Sequence, residues 1–281
     1  MIGIFDSGYG GLTILSHIRK DLPEYPFIYL GDNARAPYGT RSFDTIYEYT
    51  LQAVRYLQRQ GCNLIILACN TASAKALRSI QQNDINPNDI RVLGVIRPTA
   101  EYAPLLTKSG HIGVLATPGT VASESYIIEL QKQKPELIIT QQACPMWVPL
   151  IESGEHLNDG ANYFIEKYLK ELLTQDPKID TIILGCTHYP LIQTKIEQYL
   201  ALIGKENIQV IAQGNIVADS LVDYLQRHPD IASCAMSKAN PSQSQVTYLT
   251  TESATKFAES ASLFLAEPIQ AQHIELHSLT L

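Results

Sequence analysis

Leu64-Ile65-Ile66-Leu67-Ala68-Cys69-Asn70-Thr71 and Thr181-Ile182-Ile183-Leu184-Gly185-Cys186-Thr187-His188 are two versions of one short pattern, with their cysteines 117 positions apart. Each has an apolar run, a small residue, a thiol, then hydroxyl or amide groups. Aliphatic runs of this length bounded by Gly or Ala read as strands buried on both faces of a parallel sheet. A thiol at the carboxyl end of such a strand lies where open α/β sheets place their ligands. A free cysteine usually only packs, but two thiols in duplicated settings, each followed by polar groups, point to a two-sided site.

A second pair of segments has nearly the same separation. Ile2-Gly3-Ile4-Phe5-Asp6-Ser7-Gly8-Tyr9-Gly10 matches Ile112-Gly113-Val114-Leu115-Ala116-Thr117-Pro118-Gly119-Thr120 in pattern, at an offset of 110. Opening strand and thiol strand both recur, so the chain reads as two similar units related by an internal pseudo-repeat. The expected fold class is α/β: two pseudo-symmetric doubly wound domains with mainly parallel sheets and the active site in the inter-domain cleft.

Apolar runs at 1–5, 27–31, 63–68, 90–95, 111–115, 137–142, 179–184, 207–211 and 245–249 alternate with longer helical patterns, as in βαβ units. In 42–59, Phe43, Ile46, Tyr47, Val54 and Leu57 share a face after a Ser42 cap. The segment 158–175 repeats the pattern with Tyr163, Ile165, Leu169 and Leu172. Pro98 sets a break before the second unit. Strand 207–211 and the residues beyond it have no partner left there and are expected to return to the first unit. The expected division is 1–97 plus 210–281 for one domain and 98–209 for the other. The polar stretch 229–244, with Pro229, Pro241 and several serines, reads as a mobile surface loop; the last dozen residues suggest no element.

A chain of 281 residues with 45% hydrophobic and 17% charged content can bury one large or two medium cores. It has no signal-peptide pattern and no apolar stretch near the ~20 residues of a membrane span, so a cytoplasmic protein without a membrane partner is expected. Five widely spaced cysteines without a CxxC pair argue for reduced thiols rather than a disulfide framework. A net charge of −7 without a Lys/Arg cluster argues against nucleic acid.

Asp6-Ser7-Gly8-Tyr9-Gly10-Gly11 comes after the first strand and opens a helix whose amides can hold a carboxylate. It lacks GxGxxG spacing, and Asp6 would repel a phosphate. A carboxylate beside a thiol serves better as a proton acceptor or a positioning group. His188, two residues after Cys186, shares its mouth, and an imidazolium favours a thiolate. Cys69, Cys186, His188 and Asp6 also offer zinc donors, but Cys-x-His is an unusual ligand spacing, so no metal is expected. Pro37-Tyr38-Gly39 forms a turn whose amides can close over a ligand. Lys75 lies on the helix after Cys69 as a solvated cation, not a Schiff-base lysine, which leaves pyridoxal phosphate without an anchor.

Together these segments resemble the glutamate racemases of the aspartate/glutamate racemase superfamily. The resemblance rests on Asp6-Ser7-Gly8-x-Gly10-Gly11-Leu12, Pro37-Tyr38-Gly39, Ala68-Cys69-Asn70-Thr71-Ala72-Ser73, Thr117-x-x-Thr120, Val148-Pro149-Leu150-Ile151-Glu152 and Leu184-Gly185-Cys186-Thr187-His188-Tyr189-Pro190-Leu191, in family order over roughly residues 1–225. It implies cofactor-independent racemisation of glutamate by two cysteines, supplying D-glutamate for peptidoglycan, cell-wall biogenesis and cell shape, in a protein that often forms homodimers. It implies that Asp6 assists Cys69 while His188 and Glu152 assist Cys186. Asp6, Ser7, Pro37, Tyr38, Gly39, Cys69, Asn70, Thr71, Thr117, Thr120, Cys186, Thr187 and His188 would bind substrate. The chain departs from the family at Arg97, where many members carry Glu or Ala, and at Ala212-Gln213-Gly214, where many have an Asp. Neither position is in the catalytic set; regulation and the inter-domain surface are what the departures touch. An aspartate racemase and a non-catalytic two-domain anion sensor are the competing readings.

Overall fold

A computed structural model describes residues 1–236 and 246–276. Its strands are β1 (Ile2–Asp6), β2 (Phe27–Gly31), β3 (Leu64–Leu67), β4 (Arg91–Gly94), β5 (His111–Ala116), β6 (Ile138–Ala143), β7 (Thr181–Gly185), β8 (Gln209–Ile211), β9 (Val246–Thr250) and β10 (Ala271–His273). They form a six-stranded sheet ordered β10-β9-β2-β1-β3-β4 and a four-stranded sheet ordered β6-β5-β7-β8. Every pairing is parallel.

The pseudo-repeat is visible in these orders, since β2-β1-β3-β4 and β6-β5-β7-β8 place corresponding strands in corresponding positions. Both sheets are covered on two faces. In the first, Ile2, Ile4, Leu64 and Ile66 pack to one side with Leu15 and Leu221, while Phe5, Ile65 and Leu67 pack to the other with Val54 and Leu57. In the second, Leu115, Ile182 and Leu184 meet Leu169 and Ile196, and Ile112, Val114 and Ile183 meet Ala100 and Leu130. The alternation comes from the two-residue period of a strand. Ile4 is fully buried on a central strand, so Ile4→Ala should cost about 3 kcal/mol, read from urea unfolding; a loss below about 1 kcal/mol would contradict this packing.

Several sequence expectations need correction. Strand 207–211 does not return to the first unit: β8 pairs with β7 through Thr181 to Gln209 and Ile183 to Ile211, so the second sheet runs past residue 209. The return is made by the helix Gly214–Arg227, whose Val217 and Leu221 pack on the first sheet, and then by β9 beside β2. Pro98 is no break, because it lies in the first turn of the helix Ile96–Tyr102, where its missing N–H costs no intrahelical bond. Part of the expected loop 229–244 is the helix Pro229–Met236, with proline in the first turn and Ile231 and Ala235 buried one turn apart; residues 237–244 lie outside the described residues. The final stretch contributes the short edge strand β10.

The helix Phe43–Arg59 begins after Ser42, whose hydroxyl accepts from the Thr45 amide, but Phe43 itself is 49% exposed, beyond the buried stripe of Ile46, Ala53, Val54 and Leu57. In Asp159–Gln175, Tyr163 is 64% exposed: it stands two residues from Ile165 and so off the stripe of Ile165, Leu169 and Leu172.

Candidate active site

Each sheet reverses its winding beside its central strand, between β1 and β3 and between β5 and β7. Ligands of open α/β sheets bind at such points, and there the two thiols stand, Cys69 just beyond β3 and Cys186 directly after β7. They border one cavity of about 100 Å³. Ser7, Pro37, Tyr38, Gly39, Asn70 and Thr71 line it from the first unit, and Thr117, Glu152, Thr187 and His188 from the second. Asp6 and Thr120 lie behind this wall. Asp6 is buried and accepts from the Gly8 amide at 2.9 Å, and the Thr120 hydroxyl stands 3.1 Å from that of Thr117.

The first thiol caps the helix Asn70–Lys75. Its sulfur accepts from the Ala72 amide at 3.4 Å and lies 3.4 Å from the Ser7 hydroxyl. Burial, then the nearby Asp6 carboxylate, push Cys69 from its ordinary 9.0 up to about 12. The Asp6 carboxyl is itself raised by burial, against the opposing pull of His188. In the resting protein Cys69 is a thiol.

The second thiol has a different neighbourhood. Cys186 Sγ is 3.8 Å from His188 Nδ1, and His188 Nε2 is 3.0 Å from Glu152 Oε1. Burial opposes the imidazolium, but hydrogen bonds to Cys186 and Glu152 outweigh it and lift His188 from 6.5 to about 10. The helix Trp147–Glu152 delivers the glutamate, and Trp147 anchors it edge-on against Tyr189, with ring centroids 4.8 Å apart. Phe264 meets the His188 ring edge-on at 5.8 Å. An imidazolium so held stabilises negative charge on the adjacent sulfur.

These shifts carry a stability signature. The folded protein holds the His188 proton more tightly than the unfolded chain, so this contribution is full below pH 6.5 and is lost progressively as pH rises towards about 10. Above pH 9.0 the raised Cys69 acts in the same direction, because the unfolded thiol ionises first. His188→Gln should flatten the decline between pH 6.5 and 9.0, measured by urea unfolding across that range; an unchanged slope would contradict the ion-pair geometry.

Hydroxyls and backbone join the two units across the cavity. Thr71 and Thr117 hydroxyls stand 2.9 Å apart. The Gly119 amide donates to the Gly39 carbonyl at 2.7 Å, and a Cβ on Gly39 would lie 2.9 Å from Thr117 Cβ, so only glycine permits this approach. Tyr38 donates its hydroxyl to buried Asp32, which also accepts from Arg35 and Thr251 and so holds the turn in place. Lys75 is not simply solvated: its ammonium donates to the Arg41 carbonyl at 2.7 Å. Arg97, one of the departures, is exposed and pairs with Glu101.

Sequence reasoning missed Cys144, Pro145, Val148 and Pro149, which also border the cavity. They are small or apolar and carry no pattern of their own, although Val148 and Pro149 belong to the segment that marked Glu152. Cys62 is buried away from the cavity, Cys144 is buried at its border, and Cys234 is exposed. Among the described residues, no three His, Cys, Asp or Glu side chains are grouped to hold a metal ion, and no helix is long and apolar enough to cross a membrane.

The sequence profile of the Asp/Glu/Hydantoin racemase family matches residues 13–221. A glutamate racemase from Roseobacter denitrificans is 40% identical over 279 residues, covering 96% of this chain and 98% of the relative. Among solved structures, a glutamate racemase isoform from Bacillus anthracis superimposes with a TM-score of 0.87 at 33% identity, covering 98% of this chain and 97% of that one. One from Francisella tularensis, solved with D-glutamate, gives 0.84 at 30% identity, covering 99% and 98%. The chain belongs to the Asp/Glu/Hydantoin racemase family, among its glutamate racemases.

Proposed function

We propose that this protein interconverts L- and D-glutamate without a cofactor, using Cys69 and Cys186 as acid and base on opposite faces of the α-carbon. The observation that carries the reading is a single buried cavity bordered by two thiols from two different units, each with its own polar neighbours. Inversion needs that arrangement: one sulfur, as thiolate, removes the α-proton, and the other, as thiol, returns a proton to the opposite face. The net change is a proton moved from one sulfur to the other, with substrate and product of equal free energy.

The resting protonation is asymmetric. Cys69 is held as a thiol, while His188, kept cationic by its hydrogen bonds to Cys186 and Glu152, stands beside Cys186. That state matches removal of a proton by Cys186 and delivery by Cys69, the direction that the family resemblance implies for L-glutamate. The α-proton is weakly acidic, and the adjacent carboxylate gains charge as it leaves. Ser7, Thr71, Thr117 and Thr187 hydroxyls line the same cavity, and preorganised donors of this kind are each worth about 3 kcal/mol to a developing oxyanion.

Glutamate should protect Cys69 and Cys186 from alkylation, as resolved by peptide mapping. Inactivation that tracked Cys62 or Cys234, which lie outside the cavity lining, would overturn the assignment. Parallel assays with aspartate separate the two amino acids, and aspartate turning over faster than glutamate would redirect the reading. A cytoplasmic homodimer supplying D-glutamate for peptidoglycan completes the proposal. Light scattering tests the dimer, and rescue of a D-glutamate-requiring bacterium tests the supply.

A further inference from the structure

Gln213 carries no part in the chemistry above, yet its side chain is only 2% exposed and fully hydrogen-bonded. Its oxygen accepts from Asn70 Nδ2 at 2.6 Å. Its nitrogen stands 2.9 Å from the Tyr126 hydroxyl, 2.9 Å from Thr99 Oγ1 and 3.2 Å from the Val95 carbonyl. Tyr126 in turn donates to Asn70 Oδ1 at 2.8 Å. Three side chains thus form a closed ring: Asn70 to Gln213, Gln213 to Tyr126, Tyr126 to Asn70. Asn70 lies just beyond β3 in the first unit, Tyr126 lies on the helix Ser125–Gln133 of the second, and Gln213 immediately precedes the helix Gly214–Arg227.

The sense of the ring is determined by the backbone. The Val95 carbonyl can only accept, so it faces the Gln213 nitrogen. Thr99 donates its own hydrogen to that carbonyl at 3.0 Å and so presents an acceptor to Gln213. The Gln213 oxygen is left for Asn70, which must offer its nitrogen there and its oxygen to Tyr126. Asn70 Nδ2 has two hydrogens; one is held by Gln213, and the other is left for the cavity that Asn70 lines. We infer that Gln213 is a positioning residue of the cleft, which orients the Asn70 amide towards the substrate and ties the two thiol-bearing units together through Tyr126.

This inference rests on the glutamate racemase reading for its kinetic consequence and on the ring alone for its structural one. Removing Gln213 leaves the Asn70 donor without its acceptor and the Tyr126 hydroxyl without its donor, a loss felt in substrate binding more than in proton transfer. Gln213→Leu should raise KM for both enantiomers about tenfold and change kcat less than about threefold. Gln213→Glu keeps an acceptor for Asn70 Nδ2 and, favoured in its neutral form by burial, can still donate one hydrogen; it should raise KM less than Gln213→Leu. Tyr126→Phe, the mildest change, should raise KM less and in the same direction. In an Asn70→Ala background, Gln213→Leu should add nothing further, because the residue acts through Asn70; additive effects would overturn the inference. A readout without substrate is hydrogen exchange of the Asn70 side-chain amide by NMR, slow in the unsubstituted protein and fast in Gln213→Leu. Equal exchange in both would overturn it as well. An unsubstituted protein that failed to racemise glutamate would remove the functional reading and leave the NMR comparison to decide the ring.

Discussion

Cys69→Ala and Cys186→Ala are each expected to lower glutamate racemisation by about 10³-fold or more, measured by polarimetry with freshly reduced protein. In the proposed mechanism each thiol reaches the α-hydrogen of one enantiomer only. Residual exchange of that hydrogen with solvent deuterium should therefore be confined to L-glutamate for Cys69→Ala and to D-glutamate for Cys186→Ala. The two variants should also differ in degree. Cys186 retains His188 at 3.8 Å and Glu152 behind it, whereas Cys69, pushed up to about 12, is seldom present as the thiolate that must remove the proton. Exchange by Cys69→Ala should be the faster. A single variant that racemised near the unsubstituted rate, or exchanged both enantiomers equally, would refute the two-thiol mechanism.

Gly10→Ala should abolish most activity without touching a thiol. A Cβ at this position would overlap Nδ1 and Cε1 of His188 and the Thr187 hydroxyl. The ring has no room to yield, because Glu152 holds Nε2 at 3.0 Å and Phe264 packs on it edge-on. Nδ1 is the atom that faces Cys186, and a displacement of about 1 Å at a reacting group costs about 10²-fold in rate. Gly160→Ala is the control, since nothing lies within 4 Å of its Cβ; it should keep full activity. Circular dichroism should be unchanged in both. A fully active Gly10→Ala protein would mean that His188 need not occupy its observed position.

The fold was legible because parallel strands buried on two faces are written as uninterrupted aliphatic runs, and β1, β3, β5 and β7 carry such runs as two matching pairs. The thiol-bearing strand ends were legible for the same reason. Strand partnership was not. β8 is three residues long with only Ile211 buried, so nothing in its composition distinguishes the edge of the second sheet from the first. Pro98 misled because a proline that breaks a helix interior is tolerated in a first turn. At the site, Cys69, Cys186 and His188 announce themselves by residue type, whereas Gln213 does not. Its partners Asn70, Thr99 and Tyr126 are scattered over the chain, and a closed amide ring has no spacing to read. Asp6 showed the opposite limit: its sequence position suggested a wall of the cavity, and its burial behind Gly8 is visible only in three dimensions.

The central claim is that two thiols on opposite faces of one carbon exchange its hydrogen with no added cofactor. It is tested most directly by incubating L-glutamate with purified, reduced protein in deuterium oxide while recording optical rotation and α-hydrogen content. Rotation should fall to zero with glutamate conserved, and each D-glutamate formed early in the reaction should carry deuterium at the α-carbon. Persistent rotation, consumption of glutamate by another reaction, or D-glutamate that retains its original α-hydrogen would contradict the account.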